Sequence, residues 1–242
     1  MRRSLFLCLA LALLCGCSGA ESPPSLPPEV QSWGAELPAG DRTLWIELVE
    51  TGRPAGDGRV LDVNIYEKRG DSRPVQHFED AYYCSNEAVD LTVEDVNFDG
   101  NLDFHFIVAV GEGSNRFSSY YIWYAEHQAF QQDPYGLNNL CSAQLYPEER
   151  VIRTFMRYNI GAHETCFYRF ENGGLVCVRR LKIDYPVALE NGREGLEATV
   201  EDRRDGELSE VYRATVDPAE QPPGGEIAPG FSRWYELDAC GK

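Results

Sequence analysis

The chain has 242 residues, 43% of them hydrophobic and 25% charged, a globular composition that excludes wholesale disorder and collagen-like repeats. Acids outnumber bases 39 to 22, for a formal charge of −17, and the Lys and Arg clusters that phosphate contacts require are missing, which excludes a nucleic-acid binder. No apolar run after residue 20 reaches the length of a spanning helix, so a polytopic protein of membrane helices is excluded as well.

Met1-Arg2-Arg3 followed by the apolar run Leu5 to Leu14 has the layout of a signal peptide, too short to span a bilayer. It ends in Leu14-Cys15-Gly16-Cys17, which resembles a bacterial lipobox and predicts a leader over 1–16 with Cys17 as the lipidated residue. Ser18, rather than Asp, after that Cys resembles the signal for transfer to the outer membrane. The expected location is therefore the bacterial cell envelope, with the chain lipid-anchored and facing the periplasm, touching the membrane only through its anchor. Residues 17–40 are rich in Pro and Ser and read as an extended tether. Residues 41–242 are expected to form one domain.

That domain reads as all-β, because alternation is its dominant period. Leu44, Ile46 and Leu48 alternate with Trp45, Glu47 and Val49, and Leu61, Val63 and Ile65 with Asp62, Asn64 and Tyr66. Phe104 to Val110 and the aromatic run Tyr120 to Tyr124 follow. Further strands are expected near 151–158, 164–170, 175–183, 195–202, 208–216 and 231–237. Asn172-Gly173 and Asp205-Gly206 are type I′ hairpin signals, since both central residues must take positive φ. Residues 217–230, rich in Pro and Gly, read as a long loop before a last strand. The predicted architecture is an antiparallel meander, a twisted sandwich or a propeller-like array, with a strand-flanked calcium loop.

Of eight cysteines, Cys8 and Cys15 leave with the leader and Cys17 carries lipid, so Cys84, Cys141, Cys166, Cys177 and Cys240 remain. Their pairing is left open, as is the alternative of buried free thiols. Cys166 and Cys177 flank the Asn172-Gly173 turn and should share a sheet face. In the simplest register they sit diagonally, about 7–8 Å apart between Cα atoms. A disulfide between them would need a bulge. Another possible pairing ties Cys84 or Cys141 to Cys240.

The segment Asp95-Val96-Asn97-Phe98-Asp99-Gly100-Asn101-Leu102-Asp103 carries the most specific chemistry. Its D-x-N-x-D-G-x-x-D spacing wraps oxygens around one point, as Ca2+ requires. Asp95, Asn97 and Asp99 would supply side-chain oxygens, Asn101 its carbonyl, and Asp103 a carboxylate directly or through water. Phe106 stands where an EF-hand would place its bidentate Glu, and a strand follows instead of a helix, so the ion is expected to be structural. Catalytic templates fail: there is no G-x-S-x-G, the four His are scattered, and no carboxylate pair stands out among 39 acids. No enzymatic activity is expected.

From Leu91 to Val178 the order of features resembles a family of calcium-loop periplasmic lipoproteins. These protect bacteria against lysozyme-like effectors of killing type IV secretion systems. The acidic loop carries the resemblance, with Gly111 to Tyr124, then Tyr158 to Tyr168 with its Gly161-Ala162 and Glu164, then Asn172 to Val176. The resemblance implies an immunity or inhibitor protein that binds and inhibits a lysozyme-like peptidoglycan hydrolase. Related inhibitors block the hydrolase cleft with an exposed loop, often Ser-Gly-x-x-Tyr, and the nearest segment here is Ser114 to Tyr120. The loops 111–121 and 157–165 are the expected contact surface, with Ser114, Asn115, Arg116, Tyr120, Tyr158, His163 and Glu164 as partner-binding residues. The expected partner is a basic protein, which the acid surplus would steer. The alternative is a calcium-stabilised surface lipoprotein that recognises another protein or a glycan without inhibiting anything.

Overall fold

A computed structural model describes residues 31–53, 58–83, 89–221 and 225–236. The leader, Cys17, Cys84 and Cys240 lie outside these. The described chain is all-β, as three antiparallel meanders laid down one after another, none closed into a barrel or a propeller ring. The first sheet comprises β1 (Ser32–Ala39), β2 (Arg42–Glu50), β3 (Arg59–Tyr66) and β4 (Gln76–Tyr83) in sequence order. The second comprises β5 (Leu91–Glu94), β6 (Asp103–Val110), β7 (Arg116–Tyr124) and β8 (Ala129–Gln132). The third has six strands: β9 (Gln144–Tyr146), β10 (Val151–Arg157), β11 (His163–Glu171), β12 (Gly174–Ala188), β13 (Glu194–Arg204) and β14 (Glu207–Val216). Among the described residues the only helical turns are short 3₁₀ segments, none long enough to cross a membrane.

The turn chemistry acts as its residue types require. Asn172 and Gly173 take φ of 51° and 78° between β11 and β12, and Asp205 and Gly206 take 51° and 91° between β13 and β14. Two elements differ from the sequence reading. Within the tether expected over 17–40, residues 17–30 lie outside the described residues and 32–39 form β1, where Leu37 and Ala39 are buried against the sheet and Pro38 is tolerated because β1 is an edge strand. The last strand expected near 231–237 is instead a 3₁₀ turn over Ser232–Tyr235. Phe231, Trp234 and Tyr235 pack from it onto the third sheet, a spacing of three and four that suits a helical turn.

The second sheet is buried on both faces, and β7 shows why its aromatic run is needed. Tyr121 and Trp123 join Phe104, Phe106 and Phe130 in one cluster with Leu44, Ile46, Leu61 and Val63 of the first sheet. Tyr120 and Ile122, on the other face, join Val96, Phe98, Leu140 and Ile152 against the third sheet. Phe104 stacks on Tyr121 at 4.6 Å with nearly parallel rings. Side-chain amides then bracket neighbouring backbones: Gln76 Oε1 accepts from the Phe130 amide at 2.8 Å while its Nε2 donates to the Phe130 carbonyl at 3.1 Å.

The third sheet covers its other core with the C-terminal segment, and one buried cation holds the two together. Arg179, 1% exposed, donates from Nε and Nη2 to the two oxygens of Asp202 at 2.6 and 3.0 Å. Its Nη1 donates to the Trp234 carbonyl at 3.1 Å, and its guanidinium lies 5.0 Å from the Trp234 ring. Removing the carboxylate would strand the charge. Asp202→Ala should lower unfolding stability by about 3–5 kcal/mol. Arg179→Met, which removes the charge and keeps the stem, should cost less. Urea denaturation of the two variants measures both, and equal losses would contradict the assignment.

Candidate functional site

The acidic loop joins β5 to β6, so both of its flanks are strands, as its sequence requires. Alternation divides it. Val96 and Phe98 turn into the cluster against the third sheet, Phe98 meeting Phe170 edge to face at 6.4 Å. Phe98 pays for this reach with a left-handed φ of 60°, and Gly100 at 92° completes the reversal. The oxygens of Asp95, Asn97 and Asp99 gather instead around the loop's own amides. Asp95 Oδ1 and Asn97 Oδ1 both accept from the Asp99 amide, at 3.1 and 3.0 Å. Asp95 Oδ2 accepts from Gly100 at 2.9 Å, and Asp99 Oδ1 from Asn101 at 2.8 Å.

Asp103 has a different place from the other four residues of the expected ligand set. It is 0% exposed; Oδ2 accepts from the Val96 amide at 2.9 Å and Oδ1 from the Trp123 amide at 2.8 Å. Its carboxylate therefore braces the loop to β7. Burial pushes its pKa up to about 7, against the pull of the two amides and with the charges of Asp99 and Asp95 adding to the rise. The loop offers two carboxylates, one amide oxygen and a carbonyl, which suits a hard cation in kind. Among the described residues no group of three or more His, Cys, Asp or Glu is gathered to hold a metal.

The two loops expected to meet a partner do come together. Asn115 is buried and brackets Arg157: its Nδ2 donates to the Arg157 carbonyl at 2.8 Å and its Oδ1 accepts from the Arg157 amide at 2.9 Å. Gly113, at φ 70°, lies so close that a Cβ there would stand 3.0 Å from Arg157 Cδ. The 3₁₀ turn Glu112–Ser114 is thereby fastened beside the hairpin connection 158–162 between β10 and β11. Ser114, Arg116 and Tyr158 are exposed, while His163 and Glu164 are half-buried at the start of β11.

Two of the expected contact residues are corrected. Tyr120 is 4% exposed, packed in the core and stacked on His105 at 4.9 Å, because β7 belongs to a sheet covered on both faces. Asn115 is a bracket with both amide atoms engaged, and is not a contact surface. The segment Ser114 to Tyr120 is therefore largely a strand and cannot serve as a protruding loop.

The protruding segment is 158–162. Its shape comes from Asn159, whose Oδ1 accepts from the Gly161 and Ala162 amides at 2.8 and 2.7 Å. Asn159 Nδ2 donates to the Tyr185 carbonyl at 3.1 Å, anchoring the turn to β12. Ile160 at its tip is fully exposed and Tyr158 half exposed; with Val75 they are the exposed large hydrophobic residues among those described. The sequence reading missed Ile160, although an apolar residue inside an Asn-Ile-Gly turn was a usable signal.

Beside this tip, on the solvent face of the third sheet, lies a groove of about 770 Å³ lined by Tyr158, Glu164 and charged residues of β12, β13 and β14. Five carboxylates (Glu164, Asp184, Glu197, Glu201, Glu210) meet three cations there (Arg180, Lys182, Arg213). Arg180 pairs with Glu201 at 2.5 Å, Lys182 with Asp184 at 2.9 Å, and Arg213 with Glu197 at 2.7 Å. Such partly exposed pairs contribute little to stability. Period-two charge along β12 and β13 was the sequence signal for this face.

Asp103→Ala should cost about 2–4 kcal/mol in urea denaturation, since two buried amides lose their acceptor at once; an unchanged midpoint would contradict the brace. His163, packed on Phe155 at 5.4 Å, has its pKa lowered by burial. The unfolded chain therefore takes up a proton first. Stability from this group is complete above its ordinary value near 6.5 and is lost as pH falls through the lower folded value. Between pH 7.5 and 5, His163→Gln should lose less stability than the parent chain, and parallel losses would contradict this.

Neither a protein-family model nor a curated protein matches the chain. Among solved structures, a Xanthomonas type IV secretion system related protein is similar, with 13% identity and a TM-score of 0.51, over 76% of this chain and 95% of that one. At that identity the likeness is one of fold.

Proposed function

We propose that the chain is an envelope lipoprotein, anchored through Cys17, that binds and inhibits a lysozyme-like peptidoglycan hydrolase. The observation that carries this reading is the tip at 158–162, where Tyr158 and Ile160 are, with Val75, the exposed large hydrophobic residues among those described. Exposed aromatic and aliphatic anchors at the centre of a polar rim are what a protein interface concentrates its affinity on. The turn is held by Asn159 before any partner arrives, so little ordering entropy is lost on insertion into a cleft. The groove beside it carries a carboxylate excess, and the whole chain has a charge of −17, so a basic hydrolase would be drawn toward this face. A fold shared with a type IV secretion system related protein is in keeping with this role.

In this reading the blocking element is 158–162, with Glu164 at its rim, and not the segment 114–120. Asp95, Asn97, Asp99 and the Asn101 carbonyl would hold Ca2+, which when bound neutralises the charge of the loop. Asp103 positions the loop from behind. Phe98, packed on Phe170 of β11, connects the loop to the strand that begins at the tip. Nothing in the role calls for catalysis by this chain.

Lysis of peptidoglycan by several basic lysozyme-like hydrolases, with calcium and with chelator, tests the proposal. The purified protein should inhibit at least one of them stoichiometrically, and chelation should weaken the effect. Ile160→Asp and Tyr158→Ala should each weaken inhibition more than about tenfold without moving the melting temperature, because both side chains face solvent. Inhibition unaltered by both substitutions would place the contact elsewhere. Binding without inhibition would favour a recognition lipoprotein.

A further inference from the structure

The β11–β12 hairpin contains an irregularity that the turn at Asn172-Gly173 does not require. From the turn, the register pairs Tyr168 with Cys177; beyond it, Phe167 pairs with Arg179 and Cys166 with Arg180. One residue of β12 is thus extra between Tyr168 and Phe167, and Val178 and Arg179 both pack into the core at 1% exposure. In a regular strand, residues three apart point to opposite faces. Here the bulge returns Cys177 to the face of Arg180, which is also the face of Cys166.

The two thiols on this face are not equivalent. Cys166 is 4% exposed, and its Sγ donates to Glu164 Oε1 at 3.3 Å. Cys177 is half-buried, with Sγ 3.4 Å from the Arg179 carbonyl. The sulfurs act on each other before anything else: the contact with Cys177 pushes the Cys166 pKa up, and the contact with Cys166 lowers that of Cys177, with Arg180 adding to the fall. The less buried Cys177 is therefore the better thiolate, and Cys166 keeps its proton in the hydrogen bond to Glu164.

We propose that Cys166 and Cys177 are a redox pair that closes a cross-strand disulfide by exchange with a low-molecular-weight or protein disulfide. The Cys177 thiolate attacks one sulfur of that disulfide, forming a mixed disulfide and releasing the other half as a thiolate. The Cys166 sulfur, losing its proton, attacks Cys177 Sγ, closing the cross-link and releasing the second half. The two protons lost by the protein end on the two released thiols, so one dithiol is oxidised and one disulfide reduced. Glu164 and Arg180 both line the groove. Closure removes the thiol hydrogen bond of the first and the thiolate neighbour of the second, so the oxidation state is felt at that surface. The pair does not depend on the identity of any partner.

The full chain, reduced, desalted and then incubated with oxidised glutathione, is alkylated under denaturing conditions and digested with trypsin without reduction. Cleavage after Arg157, Arg169 and Arg179 places Cys166 in peptide 158–169 and Cys177 in peptide 170–179, each with a single cysteine. The expected product is these two peptides joined, lighter than their sum by two hydrogen atoms and absent from the reduced sample. In Cys166→Ser the glutathione should stay on Cys177 as a mixed disulfide; in Cys177→Ser, Cys166 should remain alkylatable. Recovery of both peptides singly alkylated after oxidation of the parent chain would overturn the proposal, as would Cys166 joined to any other cysteine. The parent-chain map needs no variant to fold.

Discussion

Asp103 stands at the first position of β6 with neither oxygen in contact with water, and its two acceptors fix the Val96 amide on one side and the Trp123 amide on the other. An ionisable group in that position is tolerated only because both donors are supplied by backbone. The consequence runs in two directions. Toward β7 it sets where Trp123 and Tyr121 enter the core shared with the first sheet. Toward the loop it holds Val96, and with it Phe98, against the third sheet. The same side chain thus ties together the two cores that the second sheet separates. It also leaves Asp95 and Asp99 on the outer side of the turn, with the buried Asn97 between them, where the two carboxylates accept from the loop's own amides.

The surface farther along the chain follows from bracket residues of the same kind. Asn115 fastens the 112–114 turn to Arg157, and Asn159 shapes the turn that follows it. Neither contacts a partner in the proposed role. Each exchanges conformational freedom for a fixed presentation of Tyr158 and Ile160. The bulge in β12 belongs to the same region: it sends Arg179 inward to Asp202 and Trp234, sends Arg180 outward to Glu201, and leaves the two cysteines as diagonal neighbours on one face. A single extra residue therefore sets the packing of the C-terminal segment, the charge pattern of the groove and the redox pair.

Much of the β architecture was legible in the sequence because alternation and turn chemistry agreed with each other, as at β2, β3, β6, β7 and the five strands from β10 to β14. What was not legible has physical reasons. β1 was hidden because Pro38 and Gly34 gave it the composition of a tether, although Leu37 and Ala39 kept the period. β4, β5, β8 and β9 are short or polar and gain their order from neighbouring strands. Tyr120 was misread because its sheet is buried on both faces, which no local pattern announces. Asn115 brackets the Arg157 backbone, and an amide with that task looks in sequence like one that faces solvent. The acidic loop was found by spacing alone, but spacing could not distinguish the residues that face outward from Asp103, which faces the sheet.

The account depends most on the claim that a cation completes the loop at 95–101. The direct measurement is thermal unfolding of the purified chain in calcium and in chelator, for the parent and for Asp99→Ala. The account predicts that calcium raises the melting temperature of the parent by several degrees and leaves that of the variant unmoved, since the free energy of binding to the native state adds to stability. Identical melting of the parent chain in calcium and in chelator would contradict it.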